Sequence, residues 1–306
     1  PERVRMNPTR PKRLIVTGGR GRLAALVADH FRAPGHTVQR HSRQPGAGFH
    51  PLAALHEASA LAGADALLHL AWSTLPATSE QQPGREEMED LPALRTLLAT
   101  LAALPAGQRP HFIFFSSAGA VYGNAPGRPN AEDDPCRPCG RYGQAKLAAE
   151  QLVLQAAARH GLGCTILRIS NPYGYPVPRT RPQGLIPHAL RCAMENQPLT
   201  LWGDGSARKD FIYHTDFLSG LEAVLQHRPA GIYNLAFGAS HRVLDVIRLI
   251  EAATGRTIPL GFAPAPAWDV QDSRLDASRL QAATGWAPRV ELSEGIRRAA
   301  AGYTLL

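Results

Sequence analysis

The chain has 306 residues, of which 44% are hydrophobic and 19% are charged, and its formal net charge at pH 7 is +8. This composition predicts a folded globular protein and excludes a largely disordered one. No membrane role is expected, because the most apolar segment, Leu91 to Leu104, is short and contains Pro92 and Arg95. The basic N-terminal segment lacks the apolar core of a signal peptide, so a cytoplasmic location is expected.

The elements predicted from the first half of the chain alternate between strand and helix. Strands are predicted at 14–17, 36–40, 66–71, 111–116 and 164–169, and helices at 23–31, 52–61, 87–104 and 142–160. Such a βαβ series predicts an α/β fold with a doubly wound parallel sheet of the Rossmann type.

After Asn171 the sequence contains many prolines, shorter strands and shorter helices. We expect a dinucleotide-binding domain at 13–170, with 211–237 returning to it. Residues 171–210 and 238–306 are expected to form a smaller mixed α/β substrate-binding part.

The positive charge raises the question of nucleic-acid binding. The arginines are scattered and no basic run is interleaved with aromatic residues, so no nucleic-acid partner is predicted and an anionic small ligand explains the charge as well. Lysine is rare, since only Lys12, Lys146 and Lys209 occur. Each of the three lysines is therefore informative.

The four cysteines do not predict a disulfide framework. Cys136 and Cys139 form a CxxC motif, but Cys164 and Cys192 are single and distant. We favour an ordinary surface loop over a zinc or redox site at this motif, and no metal site is predicted.

A glycine turn follows the first strand in the segment TGGRGRLA. Gly18, Gly21 and Ala24 have the spacing of a dinucleotide fingerprint, which permits a tight turn, backbone approach to a pyrophosphate and close helix packing. The cofactor-binding candidates here are Gly18, Gly21, Arg22 and Leu23, and Arg20 is a further candidate for contact with a phosphate.

The end of the second predicted strand bears on the choice between NAD and NADP. NAD enzymes usually carry an acidic residue there for the ribose diol, whereas this chain has Ser42 and Arg43. Both residues are cofactor candidates and favour NADP. The alternative is a solvated Arg43 and NAD held by other contacts.

Tyr142 and Lys146 are four residues apart at the start of a predicted helix, so their side chains share one face. An ammonium group near a phenol, whose pKa is ordinarily about 10, favours the phenolate and lets the tyrosine exchange a hydroxyl proton near neutral pH. Ser116 and Ser117 end the strand FIFFSS at the edge where such sheets bind ligands, and one of them is a hydrogen-bond donor to the reacting oxygen.

Together these segments resemble the extended short-chain dehydrogenase/reductases, in particular the nucleotide-sugar epimerase and reductase group. The resemblance covers nearly the whole chain and includes VTGGRGRLA, HLA at 69–71, SSAGAVYG, YGQAK, NPYG at 171–174, GDGSARKDFIYH, YNLAFG, DASRL and TGWAP. It implies hydride transfer between a nicotinamide and a sugar carbon, usually C4.

In this resemblance Tyr142 exchanges the proton, Lys146 lowers the pKa of Tyr142, and Ser117 binds the oxygen, because the alternative serine or threonine position is Ala118. The resemblance further implies a lining of the cofactor by Leu70, Ala71, Ser116, Pro172 and Tyr173. It implies contacts with the nucleotide-sugar substrate from Asn171, Leu185, Ile186, Leu201 and Trp202.

At two positions expected to bind the diphosphate, this chain differs from the related proteins. Related proteins have an arginine where this chain has Lys209, beside Arg208, so a point charge replaces a bidentate group. A second expected arginine is Pro266 here, and Arg274 is the candidate to compensate for it. We therefore expect Arg208, Lys209 and Arg274 to bind substrate.

Several reactions are compatible with the resemblance. Dehydratases carry Asp-Glu where this chain has Ala118 and Gly119, which disfavours dehydration. A 4-epimerase is favoured over an NADPH-dependent reductase of 4-keto sugars, and a non-catalytic NAD(P)-sensing protein is the distant alternative. The resemblance allows a homodimer through the helices at 87–104 and 142–160. The nucleotide base and the sugar are not predicted.

Overall fold

The computed structural model describes residues 12–33, 35–44, 46–125, 127–176 and 183–303. The strands are β1 Arg13–Thr17, β2 Thr37–Ser42, β3 His50–Pro51, β4 Ala66–His69, β5 His111–Ser117, β6 Cys164–Ile169, β7 Asn171–Tyr173, β8 Leu199–Trp202, β9 Arg208–Tyr213, β10 Gly231–Leu235, β11 Ser240–Arg242 and β12 Leu260–Ala263. The α-helices are α1 Arg22–Arg32, α2 Ala58–Leu61, α3 Pro76–Gln81, α4 Arg85–Met88, α5 Asp90–Ala103, α6 Ala118–Val121, α7 Arg141–His160, α8 Leu185–Glu195, α9 His214–His227, α10 Val243–Thr254, α11 Ser278–Thr284 and α12 Leu292–Tyr303.

Seven strands form a parallel sheet in the order β10-β6-β5-β4-β1-β2-β3. The central strands are continuous apolar runs because helices cover both faces of the sheet, and Leu14, Ile15 and Val16 of β1 are fully buried. One core lies on each face of the sheet. The predicted doubly wound Rossmann architecture is confirmed.

Two predicted helices differ in the structure. The segment 52–61 is a 3₁₀ helix, Leu52–His56, followed by the short α2. The segment 87–104 is α4 followed by α5, with Glu89 lying between them. The preceding Gly84 has a φ of +83°, a left-handed conformation that starts α4 two residues earlier than predicted.

The second part of the chain has its own core, built mainly from α8, α10 and α12 against small sheets. These sheets are β11-β9-β7 and β12-β8. Within the segment 211–237, β10 pairs with β6 of the main sheet, whereas β9 belongs to the three-stranded sheet. The exact division into domains stays a prediction.

Among the described residues, no helix combines the length and apolar character needed to cross a membrane. The four cysteines are free thiols, with Cys136 and Cys139 in the loop before α7 and Cys164 and Cys192 buried.

Candidate active site

The strand order reverses between β1 and β4, so the loops after these strands diverge and leave a crevice at the carboxyl edge of the sheet. Gly18 follows β1 and has a φ of +69°, and a Cβ placed on it would lie 2.8 Å from the backbone nitrogen of Ala71. Gly21 donates its N–H to the Gly18 carbonyl at 2.7 Å and precedes α1, whose first turn has no side-chain cap. Backbone amides that face a glycine cradle fit a dinucleotide pyrophosphate.

Other cofactor candidates surround this cradle. Arg22 and Leu23 form the first turn of α1, and Leu23 packs against the core. The Thr17 hydroxyl accepts a hydrogen bond from the Ala71 N–H at 3.1 Å and forms a second one with the buried His69 Nδ1 at 3.0 Å. Burial lowers the pKa of His69 to about 3, so this histidine is a neutral part of the scaffold.

At the end of β2, Ser42 and Arg43 are already engaged by the protein. Ser42 is buried and its hydroxyl accepts the Gln44 N–H at 3.2 Å, while Arg43 forms an ion pair with Glu89. Arg20 and Arg40 lie over the Phe49 ring, 4.7 Å and 4.4 Å from its centroid. Arg20 was predicted from the glycine turn, whereas Arg40 was not predicted, because it lies inside a strand.

Tyr142 and Lys146 lie on the first turns of α7, on the face that packs against the sheet. Lys146 is 4% exposed, its Nζ donates to the Phe115 carbonyl at 2.9 Å, and it lies 5.9 Å from the centroid of the Tyr142 ring. The structure therefore brings the two predicted groups together at the carboxyl end of β5. The Tyr142 hydroxyl has no hydrogen bond to any described residue.

The electrostatics of this pair differ from the simple expectation of an easily ionised phenol. Burial lowers the pKa of Lys146 to about 7, against upward contributions from Asp90, Glu150 and Glu86. Burial raises the pKa of Tyr142, and the negative charges of Glu86 and Asp90 raise it further. Burial therefore favours the neutral form of both side chains.

Three consecutive residues after β4, which had no role predicted from the sequence, contact this pair or the carboxylates of α4 and α5. The Trp72 ring lies 3.8 Å from Lys146 Nζ and 6.5 Å from the Tyr142 ring. Ser73 donates both its N–H, at 3.0 Å, and its hydroxyl, at 2.5 Å, to Asp90. Thr74 donates its hydroxyl to Glu86 at 2.5 Å. The two carboxylates were missed because the acidic segment REEMED is typical of a solvated helix start.

The two serines that end β5 have different environments. Ser116 is buried and donates its hydroxyl to Glu150 at 2.5 Å, and Glu150 also forms a buried ion pair with Arg168 at 2.7 Å. Ser117 is half-buried and has no side-chain hydrogen bond to any described residue. Because Tyr142, Lys146 and Glu150 are spaced four residues apart, these bonds fix the rotation of the face that carries the pair.

The residues after β6 divide between the crevice and the second core. Asn171 is exposed and donates from its amide to the Asp210 carbonyl at 2.7 Å, and Pro172 is half-buried. Tyr173 is buried against Phe211 and Tyr213. The structure therefore does not bring the Tyr173 ring to the cofactor crevice, because its aromatic surface is used by the second core.

Of the residues predicted to bind the nucleotide, Ile186 and Leu201 are buried in the second core and Leu185 packs against it. Trp202 is 44% exposed and forms an edge-to-face pair with Trp268, with ring centroids 5.0 Å apart. A Cβ on Gly140, two residues before Tyr142, would lie 2.8 Å from the Trp268 Cβ. The aromatic pair therefore connects the second part with the start of α7.

The three predicted diphosphate-binding cations all have protein partners. Lys209 forms an ion pair with Asp269 at 3.0 Å and donates to the Val270 carbonyl. Arg274 binds both carboxylate oxygens of Asp272, and Arg208 donates to the Ser240 carbonyl at 3.3 Å. An anionic ligand would compete with carboxylates for two of these cations.

Comparison with known proteins agrees with this geometry. Residues 14–236 match the family described as "NAD dependent epimerase/dehydratase family". The chain is 30% identical to a UDP-glucose 4-epimerase of Azospirillum brasilense over 78% of this chain and 72% of that protein. It is also 30% identical to a dTDP-4-dehydro-6-deoxyglucose reductase of Escherichia coli, over 79% and 76%.

Among solved structures, the UDP-glucose 4-epimerase of Thermus thermophilus in complex with NAD superimposes with a TM-score of 0.83 at 25% identity, over 95% of this chain and 99% of that one. The family match covers well over half of the chain, including the glycine cradle, the Tyr142/Lys146 pair and all of the seven-stranded sheet except Arg13. The chain belongs to the NAD dependent epimerase/dehydratase family.

Proposed function

We propose that this protein is an NDP-sugar 4-epimerase, which inverts the configuration at C4 of a nucleotide-linked hexose. The observation that carries the proposal is that Tyr142 and Lys146 lie together at the carboxyl edge of the same sheet that carries the glycine cradle. The activity of the Azospirillum relative supports the choice of reaction. Dehydration is less well supported, because Ala118 and Gly119 carry no acid or base.

A bound nicotinamide supplies a reversible hydride acceptor for the C4 hydrogen. Tyr142 would take the C4 hydroxyl proton as the sugar becomes a 4-keto sugar, and would return it when the hydride comes back to the opposite face. Ser117, whose hydroxyl has no described partner, would donate a hydrogen bond to the C4 oxygen. Lys146 would stabilise the phenolate of Tyr142 through its positive charge.

The cofactor part of the proposal is NADP. It is supported by the sequence His41-Ser42-Arg43 at the end of β2, which places no carboxylate where NAD enzymes hold the ribose diol. Arg20 and Arg40 add positive charge near the same strand end. The ion pair of Arg43 with Glu89 is the competing interaction that a 2′-phosphate would have to displace. Calorimetric titration with both cofactors tests this part, and tighter binding of NAD would contradict it.

The nucleotide-sugar would extend from the crevice toward the second part of the chain. We propose contacts with Asn171, with the backbone around Leu185, Ile186 and Leu201, and with the exposed Trp202 ring. Arg208, Lys209 and Arg274 would be nearest the diphosphate. We also propose a homodimer through α5 and α7, consistent with the exposed Leu154 on α7, which sedimentation of the purified chain tests.

The reaction is tested by incubating the protein with UDP-glucose, or with a dTDP-4-keto-6-deoxyhexose and NADPH. An epimerase interconverts the C4 isomers, seen by chromatography, without a net change of absorbance at 340 nm. The second candidate, a 4-keto-sugar reductase, is favoured by the same acid-free end of β2 and by the Escherichia coli relative. Stoichiometric consumption of NADPH by the keto sugar, with no isomer exchange, would replace the epimerase by this reductase.

A further inference from the structure

Glu86 and Asp90 form a buried acidic pair beside the predicted catalytic groups. Their exposed fractions are 1% and 8%, and they lie on α4 and α5, which are separate from the helix that carries Tyr142 and Lys146. The loop after β4 connects the two places, because Trp72 contacts Lys146 while Ser73 and Thr74 bind the carboxylates. A run of three adjacent side chains therefore joins one buried cation to two buried acids.

Two cations, Arg43 and Lys146, act on Asp90. Within the described residues neither Glu86 nor Asp90 forms an ion pair, whereas Glu150 is neutralised by Arg168. Arg43 acts on Asp90 but is paired with Glu89. His69, on β4, is neutral because burial lowers its pKa. Buried carboxylates without a counter-ion are costly, so the positive form of Lys146 is the natural counter-charge.

Hydrogen-bond donors face both carboxylates. Ser73 donates two bonds to one oxygen of Asp90, and Thr74 donates one to Glu86. Donors of this kind stabilise a carboxylate, and they oppose the effect of burial, which raises the pKa of Asp90.

We propose that Asp90 and Glu86, held by Ser73 and Thr74, are positioning residues that keep the buried Lys146 protonated. They do not touch the reacting atoms; they act through the amine, which in turn acts on Tyr142. The charge on Lys146 is a property of the protein itself. Its importance for turnover rests on the proposed function.

This arrangement has a defined effect on pH dependence. The acids favour protonation of both Lys146 and Tyr142, since each negative charge raises both pKa values. Removing one acid should therefore shift both limbs of the pH–activity profile toward lower pH. A residue that only supports the fold would lower the height of the profile and leave its position unchanged.

The scarcity of lysine permits a direct measurement. With lysine labelled at ¹³Cε, the three lysines give three NMR signals, and a Lys146→Arg variant identifies the one that titrates near pH 7. In Asp90→Asn this signal should titrate at lower pH by about one unit, a typical effect of one nearby opposite charge. Glu86→Gln should give a smaller shift in the same direction. The Lys12 signal serves as the internal reference.

Glu89→Gln is the matched control, because this carboxylate lies between the other two in sequence but pairs with Arg43 and Arg85 at the surface. An unchanged Lys146 titration in both test variants, or an equal shift in the control, would overturn the proposal. If Asp90→Asn does not fold, as judged by circular dichroism, Glu86→Gln alone decides. A shifted NMR titration in a protein without epimerase activity would refute the proposed function and leave this inference standing.

Discussion

Lys146 and Lys209 sit in opposite surroundings at the two ends of the candidate site. Lys146 is almost completely buried and contacts a carbonyl and an aromatic ring, with carboxylates acting on it without an ion pair. Lys209 is about one-fifth exposed and is paired directly with Asp269. Burial without an ion pair makes the first amine able to change its charge near pH 7, whereas the second amine is already engaged by a carboxylate.

The difference indicates how the two ends contribute. The end at α7 is suited to moving a proton, because its charge balance is held only by buried, hydrogen-bonded groups. The end at β9 is suited to binding, because its ion pairs can exchange a carboxylate for a phosphate. Removing a group from the first end should therefore change the rate of reaction, and removing one from the second should change affinity.

The largest effect is expected for Tyr142→Phe, which removes the only proposed proton carrier. Turnover should fall by about 10²–10⁴, the usual contribution of a positioned acid–base group. Cofactor affinity, measured by titration of the protein fluorescence, should change little. Lys209→Met should instead raise KM with little change in kcat. A Tyr142→Phe protein with undiminished turnover would refute the assignment of this residue.

A smaller loss is expected for Gly18→Ala, in the cradle of the first end. The new Cβ would overlap the backbone of Ala71, and the alanine would have to adopt a positive φ. Strain of about 1–3 kcal/mol at this turn predicts binding of the cofactor that is weaker by about 5- to 150-fold in calorimetry. Gly35→Ala is the control, because Gly35 also has a positive φ, +88°, but has open space around it. Equal cofactor binding in both variants would show that the cradle is not the binding loop.

The buried amine also predicts a pH dependence of stability. The folded pKa of Lys146 is about 7, below the ordinary lysine value of 10.5, so the unfolded chain binds more protons between these values. The penalty is fully present below pH 7 and decreases as the pH rises toward 10. This amine should therefore make the unfolding free energy rise with pH by up to about 1.4 kcal/mol per pH unit. In urea titrations at pH 7.5 and 9, Lys146→Met should lack this contribution. An identical pH dependence in the variant would mean that the Lys146 amine is exposed to water and that its pKa is not lowered.

The smallest effect is expected for Asp269→Asn, which removes the competitor for Lys209. The pair is partly exposed, so releasing it is worth about 0.2–1 kcal/mol, and UDP should bind up to about fivefold more tightly. Asp245→Asn, which disturbs the surface pair with Arg248, is the control. Weaker binding of UDP by Asp269→Asn would mean that the carboxylate positions the lysine for the ligand and does not compete with it.

The sequence alone was sufficient for the sheet, the glycine cradle and the Tyr142/Lys146 pair, because each depends on local periodicity or fixed spacing. The acidic pair could not be predicted, since Glu86 and Asp90 are buried by contacts with a loop that is distant along the chain. Glu89 separates the two helices that carry them, whereas a single continuous helix had been expected.

The same limit applies to the partners of the predicted cations. The spacing of charged residues indicated that Lys209 and Arg274 lie in the same part of the chain, but not that Asp269 and Asp272 neutralise them. Likewise, Tyr173 follows the expected motif, yet its ring is used by a core that only the folded chain defines.

The bond between Glu150 and Arg168 restricts how this protein can change over evolutionary time. Either residue alone can be lost only by leaving an unpaired charge beneath the sheet, at a cost of about 3–5 kcal/mol. A lineage would have to replace both together, and Ser116 would then lose its acceptor as well. The helix face that carries Glu150 also carries Tyr142 and Lys146. These three positions are therefore expected to be inherited together, even where the substrate changes.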